Sequence, residues 1–121
     1  MSNLYERYES AFAELEAPFA FVDLDAVEAN ADAMLQRARG KPIRIASKSV
    51  RCRPLLRRLL DRSPGFQGLL NFTVPEALWL HEQGHRNLLV AYPWTGSRAL
   101  EQLAALAAAD PDGAPGPGWW A

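Results

Sequence analysis

The chain is poor in the reactive side chains that most often announce a function: among its 121 residues are one cysteine, Cys52, and two lysines, Lys41 and Lys48. A single cysteine excludes an intramolecular disulfide, and with it the stapled folds of small secreted domains. No apolar run approaches the roughly 20 residues needed to span a bilayer. The first residues lack the basic start and apolar core of a secretory signal, since Glu6, Glu9, Glu14 and Glu16 crowd them instead. A net charge of -1 gives no overall pull toward nucleic acid or an anionic membrane. The expectation is a cytoplasmic protein with neither as a partner. With 49% hydrophobic and 22% charged residues, the chain has the balance of an ordinary globular domain.

The charges are nonetheless segregated. Glu6, Glu9, Glu14, Glu16, Asp23, Asp25, Glu28 and Asp32 face only Arg7 within residues 1–32, whereas Lys41, Arg44, Lys48, Arg51, Arg53, Arg57, Arg58 and Arg62 face only Asp61 within residues 41–62. A basic block of this kind reads either as a solvated helix face or as a site for phosphate or nucleic acid, the latter making the chain a small α/β nucleic-acid-binding module.

Apolar spacing divides the chain into alternating elements. Leu4, Tyr8, Phe12 and Leu15 predict a helix over residues 3–16, stopped by Pro18. Phe19–Asp25 (FAFVDLD) reads as a strand. Asp25 and Glu28 read as a capping box for a helix that buries Val27, Ala31, Met34, Leu35 and Ala38 and stops at Gly40. A strand over Ile43–Ser47 precedes a helix opened by Pro54, which buries Leu55, Leu56, Leu59 and Leu60 and turns Arg51, Arg58 and Arg62 outward. Gly68–Phe72 reads as a strand, Thr73 and Glu76 as the capping box of a helix ending at Gly84, Asn87–Tyr92 as a strand, and Ser97 as the cap of a last helix. Strict β–α alternation implies an α/β fold of parallel strands with crossover helices, either a doubly wound sheet or part of a (β/α)8 barrel. A full barrel needs roughly 250 residues. Residues 1–17 then form an N-terminal helix, 18–109 the α/β body and 110–121 a tail. Six of the nine residues Asp110–Gly118 are Pro or Gly, a density expected to build neither strand nor helix. This tail, ending in Trp119 and Trp120, reads as a truncation or reading-frame change, or else as a flexible end.

Lys48 is the residue with the most chemical promise. It follows directly on a strand, at the C-terminal edge where α/β proteins gather their sites. Alternation puts Ile43, Ile45 and Ser47 on the helix-facing side, and Arg44, Ala46 and Lys48 on the other, the interior of a barrel. A lysine amine placed in such a pocket attacks a carbonyl to form a Schiff base. Arg51 and Arg53 lie just beyond and suit a phosphate or a carboxylate. Asn71 and Thr73 sit at the next strand's end, and Tyr92 ends the fourth strand. His81 and His85 have the spacing of a helical metal pair, but Gly84 interrupts them and no carboxylate–histidine motif completes a site, so no metal site is expected. Cys52 reads as a buried, inert thiol.

The stretches PFAFVDLDAVEAN, IRIASKSVRCRPLLRRLL, GLLNFTVPEALWLHEQG and NLLVAYP, in that order, resemble the N-terminal half of the alanine racemase-like, fold-type III pyridoxal-phosphate (PLP) enzymes over roughly residues 17–109. The branch most resembled is that of D-threonine aldolase and D-serine deaminase. The resemblance implies a partial (β/α)8 barrel made of the N-terminal βα units, with PLP as cofactor. It places Lys48 at the family's cofactor-binding lysine; Arg51, Thr73 and Tyr92, by their positions near it and at strand ends, are the further candidate cofactor contacts. It implies a D-amino acid substrate, aldol cleavage or deamination as the reaction, and a homodimer for full-length relatives. A divalent metal used by such relatives would find its ligands late in the chain, outside this sequence. Ser49-Val50-Arg51-Cys52 stands where racemases usually have a tyrosine and glycines, and the histidine common near the lysine in aldolase and deaminase relatives is missing. An amino acid racemase and a non-catalytic PLP-homeostasis barrel are the alternatives within the same fold. With most strands of the barrel missing, the chain is expected to be inactive alone.

Overall fold

The computed structural model describes residues 3–117. Five helices alternate with short strands: α1 (Leu4–Ala11), α2 (Leu24–Ala38), β1 (Ile43–Ala46), α3 (Arg53–Arg62), β2 (Phe66–Asn71), α4 (Val74–Glu82), β3 (Leu88–Val90), α5 (Ser97–Ala109) and β4 (Gly116–Pro117). The strands form one parallel sheet in the order β1-β2-β3-β4. The fold is therefore α/β, and its strand order follows the chain without the reversal that marks a doubly wound sheet.

Register separates the two faces of the sheet. Ile45, Leu69 and Leu88 lie side by side and are buried with Ala31 of α2, Leu56 of α3 and Leu80 of α4. Val90 enters a second cluster with Val74 and Ala77 of α4 and Ala99 of α5. The alternate row, Ala46, Leu70, Leu89 and Gly116, belongs to neither cluster and faces the other way. Helices thus cover one face. Lys48 lies in the turn just beyond the C-terminal end of β1.

Several expectations are corrected. Phe19–Asp25 is not a strand. Its aromatics are spent on α1 instead: Phe19 and Phe21 pack on Phe12, and Phe21 also on Tyr8, with ring centroids 4.5–5.4 Å apart. The run remains solvent-exposed, so water can satisfy its backbone groups without a ladder partner. The same contacts turn the chain at Phe12, so α1 stops at Ala11 rather than at residue 16. The cap of α2 is Asp23, whose carboxylate accepts from Ala26 N–H at 3.1 Å and from the Tyr8 hydroxyl at 2.6 Å. Asp25 lies already inside the helix, and Glu28 turns away to Arg58 and Arg62. Gly96, not Ser97, occupies the cap of α5. Arg51 precedes α3 instead of lying on it. The second and third strands begin and end one or two residues away from their expected bounds. The Pro/Gly segment contributes β4, because Gly116 and Pro117 run alongside Leu89 and Val90 where a proline's missing N–H costs nothing on an edge. Trp119 and Trp120 lie outside the described residues.

The segregated charges meet across α2 and α3. Glu28 pairs with Arg58 and Arg62, and Arg62 also reaches Asp32 at 2.6 Å. Arg58 and Arg62 of the basic block are thereby paired with acids of the acidic one.

These pairs set a pH dependence. The Tyr8 hydroxyl and the Ala26 N–H hold Asp23 below the ordinary carboxylate range, the Arg58 guanidinium does so for Glu28, and Arg62 for Asp32. Burial, with Arg57 and Arg53 nearby, pushes His85 below the ordinary histidine value. In each case the unfolded chain binds the proton more readily than the folded one. The stability these groups contribute is therefore complete above their unfolded values and is lost as pH falls through the folded ones. Urea midpoints should decline from pH 7 toward pH 3, beginning with His85 near pH 6.5 and continuing through the carboxylates. A midpoint that holds or rises over that range would contradict the assignment.

Candidate active site

Three side chains from three strand ends meet at the C-terminal margin of the sheet. Lys48 follows β1, Phe72 follows β2 and Tyr92 lies just past β3. Lys48 Nζ donates to Tyr92 Oη at 2.6 Å and stands 4.8 Å from the centroid of the same ring and 5.6 Å from that of Phe72. The two rings meet edge to face at 5.2 Å. An ammonium beside aromatic rings is attracted by their quadrupole, by about 0.5–1 kcal/mol at exposed sites. Lys48 is exposed, and among the described residues no carboxylate lies within ion-pair distance of it. Its amine is held by a phenol and two rings rather than neutralised by an acid.

Beside this cluster a cavity of about 430 Å³ opens between the strand ends and the first turns of α3 and α4. Lys48, Arg51, Arg53 and Glu76 are its charged lining, and Leu56 and Leu80 form part of its apolar wall. Arg51 Nε donates to the Lys48 carbonyl at 3.0 Å, which anchors the loop after β1. Arg53 donates to Gln83 and lies 5.1 Å from the ring centroid of Trp79. Both oxygens of Glu76 are engaged internally, by Ser47 and by the Phe72 N–H. The cavity's uncommitted charge is therefore positive, and its chemistry favours an anionic group such as a phosphate or carboxylate.

The residues marked from the sequence fall unequally around this place. Lys48 and Tyr92, 44 positions apart, are in direct contact. Arg51 and Thr73 line the cavity, Thr73 while capping α4 through Glu76 N–H at 3.2 Å. Asn71 is buried and donates to Ser47 Oγ at 3.0 Å, inside the sheet instead of along the cavity. Cys52 lines the cavity and is exposed, not buried, because it sits at the cap of α3 where the chain leaves the sheet. His81 and His85 are parted: His81 Nε2 meets Asp110 at 3.1 Å, and His85 lies buried beyond the end of α4.

Two residues escaped the sequence reading. Phe72 could have been found as the residue directly following β2, beside the strand-end positions of Lys48 and Tyr92. Glu76 was assigned a capping role toward Thr73, but its carboxylate reaches one residue further back and across to β1. The signal was available in Ser47 and Asn71, polar residues at buried strand ends that require partners. No helix among the described residues is long and apolar enough to cross a membrane. No family model, curated protein or solved structure matches the chain.

Proposed function

We propose that the chain carries the N-terminal βα units of a PLP-dependent (β/α)8 barrel enzyme of the alanine racemase-like type, acting on D-amino acids by aldol cleavage or deamination, with Lys48 as the cofactor-binding lysine. The observation that carries this reading is the position of the Lys48 amine. It lies at the C-terminal margin of a sequentially wound parallel sheet, fixed by Tyr92 and free of any acidic partner among the described residues.

The residues present fit such a cofactor. Lys48 offers a primary amine to its aldehyde carbon, and Arg51 beside it offers charge to its phosphate. Thr73 lines the same cavity, and Tyr92 orients the amine. When bound, PLP supplies an electron sink for charge developing at a substrate's Cα. In this role Lys48 takes or returns the Cα proton from one side, and Phe72 and Tyr92 restrict the arc over which Nζ moves. Arg53 is available to a substrate carboxylate.

Four parallel strands leave β1 and β4 as open edges, and a barrel closes only with its full set. The remaining contacts would come from strands that these residues do not include. The 121-residue chain is accordingly expected to capture PLP weakly and to turn over no D-amino acid. Added PLP should give the visible absorbance of a lysine-bound pyridoxal, and Lys48→Ala should remove most of it. A band of undiminished intensity in the Lys48→Ala protein would refute the assignment.

A further inference from the structure

The end of β1 is joined to the end of β2 by a polar network centred on Glu76. Ser47 Oγ donates to Glu76 Oε1 at 2.6 Å, and Phe72 N–H donates to Glu76 Oε2 at 2.7 Å. Asn71 Nδ2 donates to Ser47 Oγ at 3.0 Å. Ser47 is 3% and Asn71 1% exposed, so the bond between them is made with little competition from water. The two groups that Glu76 grips are the immediate neighbour of Lys48 and the backbone of Phe72 itself. Thr73 holds the other end of the arrangement by capping the helix on which Glu76 stands.

We infer that Glu76 is a positioning residue for Lys48. Its carboxylate clamps two adjacent strand ends at a fixed separation, and that separation places Nζ between Phe72 and Tyr92. Glu76 acts through Ser47 and Phe72 and touches no reacting atom. The clamp has a specific stereochemical requirement: one acceptor facing Phe72 N–H and one polar partner facing Ser47 Oγ. Glutamine meets it. Its carbonyl oxygen accepts from Phe72, its amide donates to Ser47 Oγ, and the serine proton turns to Leu70 O, already 3.3 Å away. Alanine offers neither group.

The inference rests on Lys48 being the reactive amine, and the test separates the two claims. The full chain and its variants are incubated with PLP, reduced with borohydride and mapped for label on Lys48 relative to Lys41. In parallel, the NMR shift of the Lys48 ε-methylene reports its place against the aromatic rings without any cofactor. In Glu76→Ala the Lys48:Lys41 label ratio should fall about tenfold, the equivalent of one charge-assisted hydrogen bond, and the ε-methylene should move to the position of Lys41. Glu76→Gln should restore both readouts to within about twofold of the parent. Glu28→Gln, which loosens α2 from α3 away from the cavity, should leave both unchanged. Should Glu76→Ala fail to fold, Ser47→Ala keeps the Phe72 arm and should show an intermediate loss of about threefold.

An Ala variant that folds and matches the parent in both readouts overturns the inference, as does an equal fall in Glu28→Gln, which would mark a general loss of stability. Absence of label on Lys48 in the parent chain refutes the cofactor reading alone. The methylene shift then decides the positioning role: its loss in Glu76→Ala upholds the role, and its persistence overturns it.

Discussion

Gly68→Ala should unfold the sheet or leave it barely stable. Gly68 has φ +94°, a conformation that costs a residue with a Cβ roughly 1–3 kcal/mol. The added methyl would also collide with the backbone carbonyl oxygen of Asn87 and stand 2.9 Å from that residue's Cβ. That oxygen accepts from Leu69 N–H at 3.1 Å and from Arg44 Nη1 at 2.8 Å, so displacing it breaks the join between β2 and the entry to β3. Overpacking adds about 1–3 kcal/mol more. Against a native stability of about 0.05–0.15 kcal/mol per residue, the sum is a large share of the whole. Chemical denaturation monitored by far-ultraviolet dichroism measures it; a loss below about 1 kcal/mol would show that the close approach at Gly68 is not structurally required.

Leu56→Ala should cost about 2–5 kcal/mol, whereas Leu56→Met should cost less than about 1.5. Leu56 is 2% exposed and packs with Ile45, Leu69, Leu80 and Leu88. It joins α3 to the sheet and also forms part of the wall of the cavity beside Lys48. Truncation therefore removes core contacts and enlarges the site at once. Urea midpoints of the two variants test the first effect, and PLP capture by Leu56→Met, which preserves volume, tests whether the wall must keep its shape. Equal stability of both variants would contradict the placement of this side chain.

Local signals carried much of the architecture. Ile43, Ile45 and the polar residues between and after them announced β1 with Lys48 near its end, and Thr73 announced the start of α4. These features depend on neighbours within a few residues, where backbone geometry is decisive. Features that depend on distant partners were hidden. Phe19 and Phe21 have the composition of a strand, and the presence of Tyr8 on α1 and Phe12 at its end brings them into aromatic packing. Arg58 and Arg62 meet Glu28 and Asp32 across 30 positions, turning an apparent basic face into a set of ion pairs. The strand-like pairing of Gly116 and Pro117 with β3 likewise follows from where the chain returns, not from the residues themselves.

The candidate site divides in the same way. Lys48 and Tyr92 were each visible as strand-end residues, and their contact at 2.6 Å joins them into one feature. Glu76 was visible only as a helix cap, because its engagement with Ser47 lies across 29 positions and between two strands. Asn71, expected at the cavity, serves instead to hold Ser47.

Whether Lys48 is the amine that takes up the cofactor is tested by borohydride reduction of the PLP-treated chain followed by peptide mapping. With only Lys41 and Lys48 as lysines, the map distinguishes the two side chains cleanly. Pyridoxyl label should be concentrated on Lys48. Label confined to Lys41, or divided equally between the two, would contradict this assignment.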